Sequence, residues 1–260
     1  MLRNFQAGFA VIRTFIKSQK WLSRKFDLLL PAKYRRDGNR DYIEAVVPKY
    51  LAHDDTVYDI GGGKRPFLAT EQKRALNATV IGVDIDPVEL DLAPRGAYDK
   101  KICADIALFS GNQDADLVLC QALLEHVENV EAAFASIAAI LKPGGLALIF
   151  VPSRNAVFAR LNMLLPHSVK QSILYGIFPE KQKKQGFPAF YNSCTPAGLK
   201  KLAAANELAV IEERYYYASS YFSFFLPVYV AWRLWVLLFH ALVREQAAET
   251  FCLVLQKPVR

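Results

Sequence analysis

A short apolar run that ends in an acid and three glycines, Val57-Tyr58-Asp59-Ile60-Gly61-Gly62-Gly63, constrains this chain more than any other feature. "TVYDI" (56–60) is β-rich and short, as a buried parallel strand is. "ATEQKRALN" (69–77) is rich in helix formers, and "TVIGVDID" (79–86) is a second β-rich run. Strand, glycine turn, helix and strand make a βαβ unit, which implies an α/β chain with a parallel sheet. Glycine at the first turn lets the backbone approach a ligand at the helix N-terminus with no Cβ in the way.

The residues around the glycines select the ligand. A dinucleotide fingerprint needs a glycine at position 66, which is Pro66, and the phosphate-binding pattern GxxxxGK[ST] is absent. Asp59, two residues before the first glycine, suits a cationic amino group and would repel a pyrophosphate. Asp84 ends the second strand 21 residues after Gly63. A carboxylate at that tip accepts both hydroxyls of a ribose. A cation at one end and a ribose at the other describe S-adenosyl-L-methionine.

On these residues the chain resembles the class I S-adenosylmethionine-dependent methyltransferases, in the broad type 11 family that includes ubiquinone-pathway enzymes. The resemblance runs through residues 50–153 and returns near 195–215 and 249–257. It implies a Rossmann-like α/β fold, a seven-stranded sheet with helices on both faces. It also implies cofactor contacts from Asp59, Gly61, Gly62 and Gly63 in the loop, and from Asp84 with Ile85 at the ribose. Asp105 and Ile106 of "CADI" fall where the family contacts adenine, and Gln121, in "ADLVLCQALLEHV", falls near the cofactor. "LKPGGLALIFVPS" matches the turn into the fifth strand. Arg65 stands where the family commonly has a further glycine. A second role stays open for Asp105, that of a helix N-cap.

Methyl transfer to oxygen needs a base near the acceptor hydroxyl, or alignment of the reactants. His126, just past the fourth strand, is the candidate catalytic residue, because its ordinary pKa suits proton abstraction near neutrality. The alternative is that Glu125 and His126 cap the following helix. Related ubiquinone-pathway enzymes carry Glu-x-x-Glu-His there, a set that holds a divalent ion. Ala122 replaces the first of those acids, so no metal is expected. Arg154, Asn155 and Tyr191 are the candidate acceptor-binding residues, as they follow the fifth strand or precede the next helix.

Charge and apolar patterning describe the rest. Formal net charge is +7, yet residues 1–36 hold nine bases against Asp27 alone, so the remainder is close to neutral. Residues 1–40 are expected to form a basic amphipathic helical segment. Phe5, Phe9, Ile12, Phe15 and Ile16 share one face, and Arg3, Gln6, Arg13 and Lys17 share the other. Such a helix suits an anionic membrane surface; a helix packed over the cofactor site is the alternative. Residues 41–260 read as the methyltransferase domain, with insertions at 154–195 and 219–248. The first insertion is expected to build an apolar acceptor pocket. "YFSFFLPVYVAWRLWVLLFHALV" (221–243) approaches the length of a membrane-spanning helix. The strands expected on either side of it must share one sheet, and Arg233 is costly in a bilayer. It is therefore expected to lie as an interfacial or re-entrant hairpin broken at Pro227, with a dimer interface or core helix as the alternative. The four cysteines show neither metal spacing nor CxxC pairing and read as reduced thiols.

These readings describe a methyltransferase at the cytoplasmic face of a membrane, peripheral or monotopic, that O-methylates an amphiphilic or lipid-linked small-molecule acceptor. A soluble homodimeric enzyme and a cofactor-binding regulatory protein are the rivals. No nucleic-acid partner is expected, since the acceptor signature NPPY is missing after the fourth strand.

Overall fold

The computed structural model describes residues 2–164 and 187–259, with side chains from Ile12 onward. The N-terminal segment is one helix, α1 (Leu2–Asp27), followed by α2 (Gly38–Asp41), a π-helical turn Tyr42–Val46 and α3 (Val47–Tyr50). Then come β1 (Thr56–Ile60), α4 (Thr70–Ala75), β2 (Thr79–Asp84), α5 (Pro87–Asp91), β3 (Lys100–Cys103), β4 (Ala115–Gln121), α6 (Val130–Ile140), β5 (Leu141–Pro152) and α7 (Val157–Leu164). After the undescribed stretch come α8 (Pro196–Ala205), β6 (Ala209–Tyr216), α9 (Leu226–Val243) and β7 (Thr250–Gln256).

The seven strands form one sheet in the order β3-β2-β1-β4-β5-β7-β6. The first five are parallel, and β7 runs antiparallel to both neighbours. This is the Rossmann-like methyltransferase sheet expected from the sequence. Strands β1, β4, β5 and β7 are apolar along their length because helices cover both faces. Alternate residues divide between two cores, as the two-residue side-chain period requires. Tyr58, Ile60, Val118, Cys120, Ile149 and Leu253 face α6, α8 and α9. Val57, Leu117, Leu119, Leu148 and Val254 face Tyr42, Val46, Leu68 and Leu90.

Residues 226–243 form one continuous helix, not a hairpin broken at Pro227. Proline lies in the first turn, where its missing N–H costs nothing. One side of α9 enters the core through Tyr229, Trp232, Arg233 and Val236. Leu234, Trp235, Leu238 and Leu242 are exposed on another side. The helix is long and apolar enough to cross a membrane by length and composition alone. Arg233 is 1% exposed. Its guanidinium donates to the carbonyls of Tyr34 and Tyr217 and pairs with Asp27 Oδ1 of α1 at 3.0 Å. The tyrosine Tyr229 donates to the other oxygen of Asp27 at 2.6 Å. The charge of Arg233 therefore joins α1 to α9 inside the protein. The expected pocket residues 165–186 lie outside the described residues.

Candidate active site

Reversal of the strand order between β1 and β4 creates the crevice in which open α/β sheets bind ligands, beyond the strand C-termini. A cavity of about 570 Å³ opens there. Its lining includes Gly61 after β1, Asp84 and Ile85 at the end of β2, Asp105 and Ile106 after β3, and Ala122, Leu123 and His126 after β4.

The glycine loop is shaped by the protein beneath it. Asp59 points to the same face as Val57, away from the cavity, and is 5% exposed. Its Oδ2 accepts the Phe67 N–H at 2.7 Å and the Tyr98 hydroxyl at 3.2 Å. Burial raises this carboxyl to about 6. A Cβ on Gly62 would stand 2.4 Å from the same oxygen, so the second glycine is needed to cover Asp59. Gly63 has φ of +49°, and a Cβ on it would meet Asp84 Oδ2 at 3.0 Å. The pleat turns Asp59 under the glycine loop, so its carboxyl braces that loop's backbone and does not line the cavity. Gly62 and Gly63 likewise stand outside the cavity lining, and Gly61 alone of the three lines it.

Asp84 is half-buried at the mouth, where burial chiefly raises its pKa. Its Oδ1 accepts the Asp86 N–H at 2.9 Å, which holds the carboxylate in place at the strand tip. Asp105 accepts the Ala107 N–H at 2.8 Å. It therefore makes a cap-like turn and lines the cavity at once. Two acids, Asp84 and Asp105, beside the aliphatic walls of Ile85, Ile106 and Leu108 give a cavity whose chemistry fits S-adenosylmethionine.

A second cavity of about 590 Å³ shares Ala122 with the first. Its wall includes Phe150 and Thr250 of the sheet, Phe158, Ser220, Tyr221, Tyr229 of α9, and Lys20, Ser23 and Arg24 of α1. Among the described residues, helix α1 thus borders this second cavity and not the first. Ala122 has φ of +51°, a conformation unusual for alanine. The chain leaves β4 there in a sharp turn that puts His126 in the first cavity and Glu125 in the second.

His126 Nδ1 lies 2.8 Å from the Pro188 carbonyl. A carbonyl only accepts, so Nδ1 carries the proton and neutral His126 keeps a free lone pair on Nε2. Glu125 is 5% exposed, and its Oε2 has no hydrogen-bond partner among the described residues. Burial pushes this carboxyl up to about 8. Its Oε1 lies 3.8 Å from His126 Nε2, too far for a direct bond and close enough for one oxygen to bridge them. The Phe190 and Tyr191 N–H groups both donate to the Glu125 carbonyl, and Asn192 donates to that of Glu128. Residues 188–192 therefore hold the 125–128 turn in place.

The other expected residues lie elsewhere. Gln121 donates to Asn39 Oδ1 at 2.6 Å and lines neither cavity, although Asn39 lines the second. Arg154 follows β5 outside both linings, its N–H bonded to the Cys194 carbonyl. Asn155 donates to the Gln246 carbonyl and accepts from Arg160, so its amide is used in packing. Tyr191 is buried with its hydroxyl bonded to Asn162, and burial raises its pKa to about 12. None of these three residues lines either cavity among the described residues, and the side chains of Asn155 and Tyr191 are engaged in packing. Sequence reasoning treated Glu125 only as a cap or half of a metal site. Its neighbour His126 was the available signal, whereas its burial is a tertiary fact.

A protein-family model described as a methyltransferase domain matches residues 32–213. The ubiquinone biosynthesis O-methyltransferase of Rhodopseudomonas palustris (strain BisB18) is 29% identical over 160 residues, 60% of this chain and 58% of that protein. The chain spans about half the length of the curated relatives it matches. Among solved structures, a methyltransferase of Methanosarcina mazei aligns with a TM-score of 0.52 at 16% identity, covering 83% of this chain and 98% of that one. The [4+2]-cyclase SpnF aligns with a TM-score of 0.53 at 16% identity, over 88% of this chain and 86% of that one. At such identity these structures establish the fold, and a cyclase among them shows why function must be argued from the site. With a family model covering most of the chain and a cavity that fits the cofactor, the chain belongs to the class I S-adenosylmethionine-dependent methyltransferase family.

Proposed function

We propose that the protein is an S-adenosylmethionine-dependent O-methyltransferase acting on an amphiphilic or lipid-linked small molecule at a membrane surface. One observation carries this reading: a cavity that fits the cofactor abuts a second cavity at Ala122, and His126 and Glu125 stand at the junction. S-adenosylmethionine, when bound, supplies a methyl group activated on a sulfonium. Asp84 holds the ribose side and Asp105 the adenine side. His126 accepts at Nε2 the proton that the acceptor hydroxyl gives up, and the Pro188 carbonyl fixes its tautomer. Glu125, protonated below about pH 8, orients that hydroxyl from the other side.

The membrane part of the reading rests on α1 and α9, which wall the second cavity and carry exposed apolar residues elsewhere on their surfaces. An amphiphile entering between them would pass from an apolar surface into the site. The relatives in ubiquinone biosynthesis are consistent with an acceptor of that kind.

The test is turnover of labelled S-adenosylmethionine with cell-lipid extract as acceptor source. His126→Ala is expected to lower kcat about 10²–10⁴-fold while the affinity for S-adenosylhomocysteine is unchanged. Near-normal turnover with an unaltered pH–rate profile would remove the base assignment.

A further inference from the structure

Lys20 and Arg24 lie one turn apart on α1, and Arg35 lies in the connector that follows. All three border the second cavity. None has an ion-pair partner among the described residues. Their neighbours are different: Arg36 and Arg214 pair with Asp41, Arg40 pairs with Glu44, and Lys49 pairs with Glu212. Lys25 and Lys33 lie over the rings of Trp21 and Tyr34. Three bases with no ion-pair partner among the described residues thus border one cavity, whereas Arg13 and Lys17 of the same helix border neither. Asp37 borders it as well, but its Oδ1 accepts the Arg40 N–H as the cap of α2.

Glu125, on the same lining, is an independent sign that the cavity takes a polar ligand. It is a carboxyl 95% out of solvent with one oxygen unpartnered, a costly arrangement unless something polar arrives. Protonated, it donates to a hydroxyl and does not repel an anion. The cavity therefore combines three positive charges on its rim with a neutral hydrogen-bonding group at the junction with the cofactor cavity.

Resting on the methyltransferase reading above, we infer that the acceptor carries an oxyanion head group, held by Lys20, Arg24 and Arg35, and that Glu125 orients its methylated hydroxyl. Phosphate and carboxylate share the chemistry these cations recognise. Some of the N-terminal basicity then belongs to substrate recognition and not to the membrane surface.

The test uses the full chain saturated with S-adenosylhomocysteine, titrated calorimetrically with decyl phosphate, decanoate and neutral decyl maltoside, all below their micellar concentrations. The two anions are expected to bind and the neutral probe to bind at least tenfold more weakly. Combined Lys20→Ala, Arg24→Ala and Arg35→Ala is expected to weaken anion binding at least tenfold with S-adenosylhomocysteine affinity retained. Combined Arg13→Ala, Lys17→Ala and Lys25→Ala, which border neither cavity, should leave it unchanged. Binding of one anion alone names the head group. Equal losses in both triple variants would mean a diffuse charge effect and overturn the inference. So would loss of binding to phosphatidylglycerol vesicles in the first triple variant with decyl phosphate affinity intact, since the cations would then serve a lipid surface. Should the first triple variant fold poorly, Arg24→Glu on the exposed side of α1 gives the same readout. Failure of the wild-type protein to bind S-adenosylhomocysteine sinks the methyltransferase reading itself, whereas retained cofactor affinity with indifferent anion binding sinks only this one.

Discussion

Burial keeps the Glu125 carboxyl protonated to about pH 8, Glu249 to about 7 and Asp59 to about 6. Each folded pKa lies above that of the exposed acid, so the folded state binds more protons than the unfolded one. Their contribution to stability is complete below the ordinary carboxyl range and is lost as pH rises through 6, 7 and 8. Thermal melts should therefore show a Tm that falls between about pH 5 and 9. In Glu125→Gln the upper part of that fall should flatten; curves that stay parallel would disprove the assignment. Two loop acids separate in the same way. Asp84→Ala should cost at least tenfold in S-adenosylhomocysteine affinity by calorimetry, about 1.4 kcal/mol, with little change in Tm. Asp59→Ala removes the acceptor of the Phe67 N–H and the Tyr98 hydroxyl and should cost about 1–3 kcal/mol of stability. Asp59 was legible as a loop acid; its direction was not, because that depends on which face of β1 the pleat gives it.

At the scale of elements, the strands were legible and the helices between them less so. "TVYDI", "LAVIEERYYYA" and "TFCLVLQK" fold as β1, β6 and β7, with β6 and β7 paired antiparallel in one sheet. Continuous apolar runs bounded by turns identify buried strands without reference to their neighbours. Helix α9 was harder, because an apolar helix that packs on a sheet and one that meets lipid have the same composition. Arg233 decides its inner side. It joins α9 to Asp27 of α1 and to two carbonyls. Arg233→Met should destabilise the fold by about 3 kcal/mol, the low end for a broken buried pair because Asp27 keeps some contact with water. Denaturant unfolding measures this, and a loss below about 1 kcal/mol would show that α1 is held mainly by apolar packing.

At the scale of the whole molecule, α1 and α9 both wall the second cavity and expose apolar side chains to the outside. Replacing Leu234, Trp235, Leu238 and Leu242 by serine should abolish salt-insensitive binding to liposomes and leave a salt-screened remainder carried by the bases of α1. Trp232 is unsuitable for that purpose: it is buried, and its indole donates to Glu249. If the wild-type protein ignored liposomes at every salt concentration, the outward face of α9 would instead be an oligomer interface.

The sequence by itself determined the sheet, the glycine loop and the positions of Asp84, Asp105 and His126. Each depends on local pattern: apolar runs, turn chemistry, and an acid at a strand tip. Tertiary structure alone decided that Asp59 turns inward, that Arg154, Asn155 and Tyr191 line neither cavity, and that Glu125 is left with an unpartnered oxygen. It also brought Lys20, Arg24 and Arg35 to one cavity with Glu125, which lies 90 to 105 residues further along the chain. Burial and convergence are properties of packed elements. A carboxyl's solvation and an arginine's partner are set by residues distant in sequence, and no local pattern encodes them.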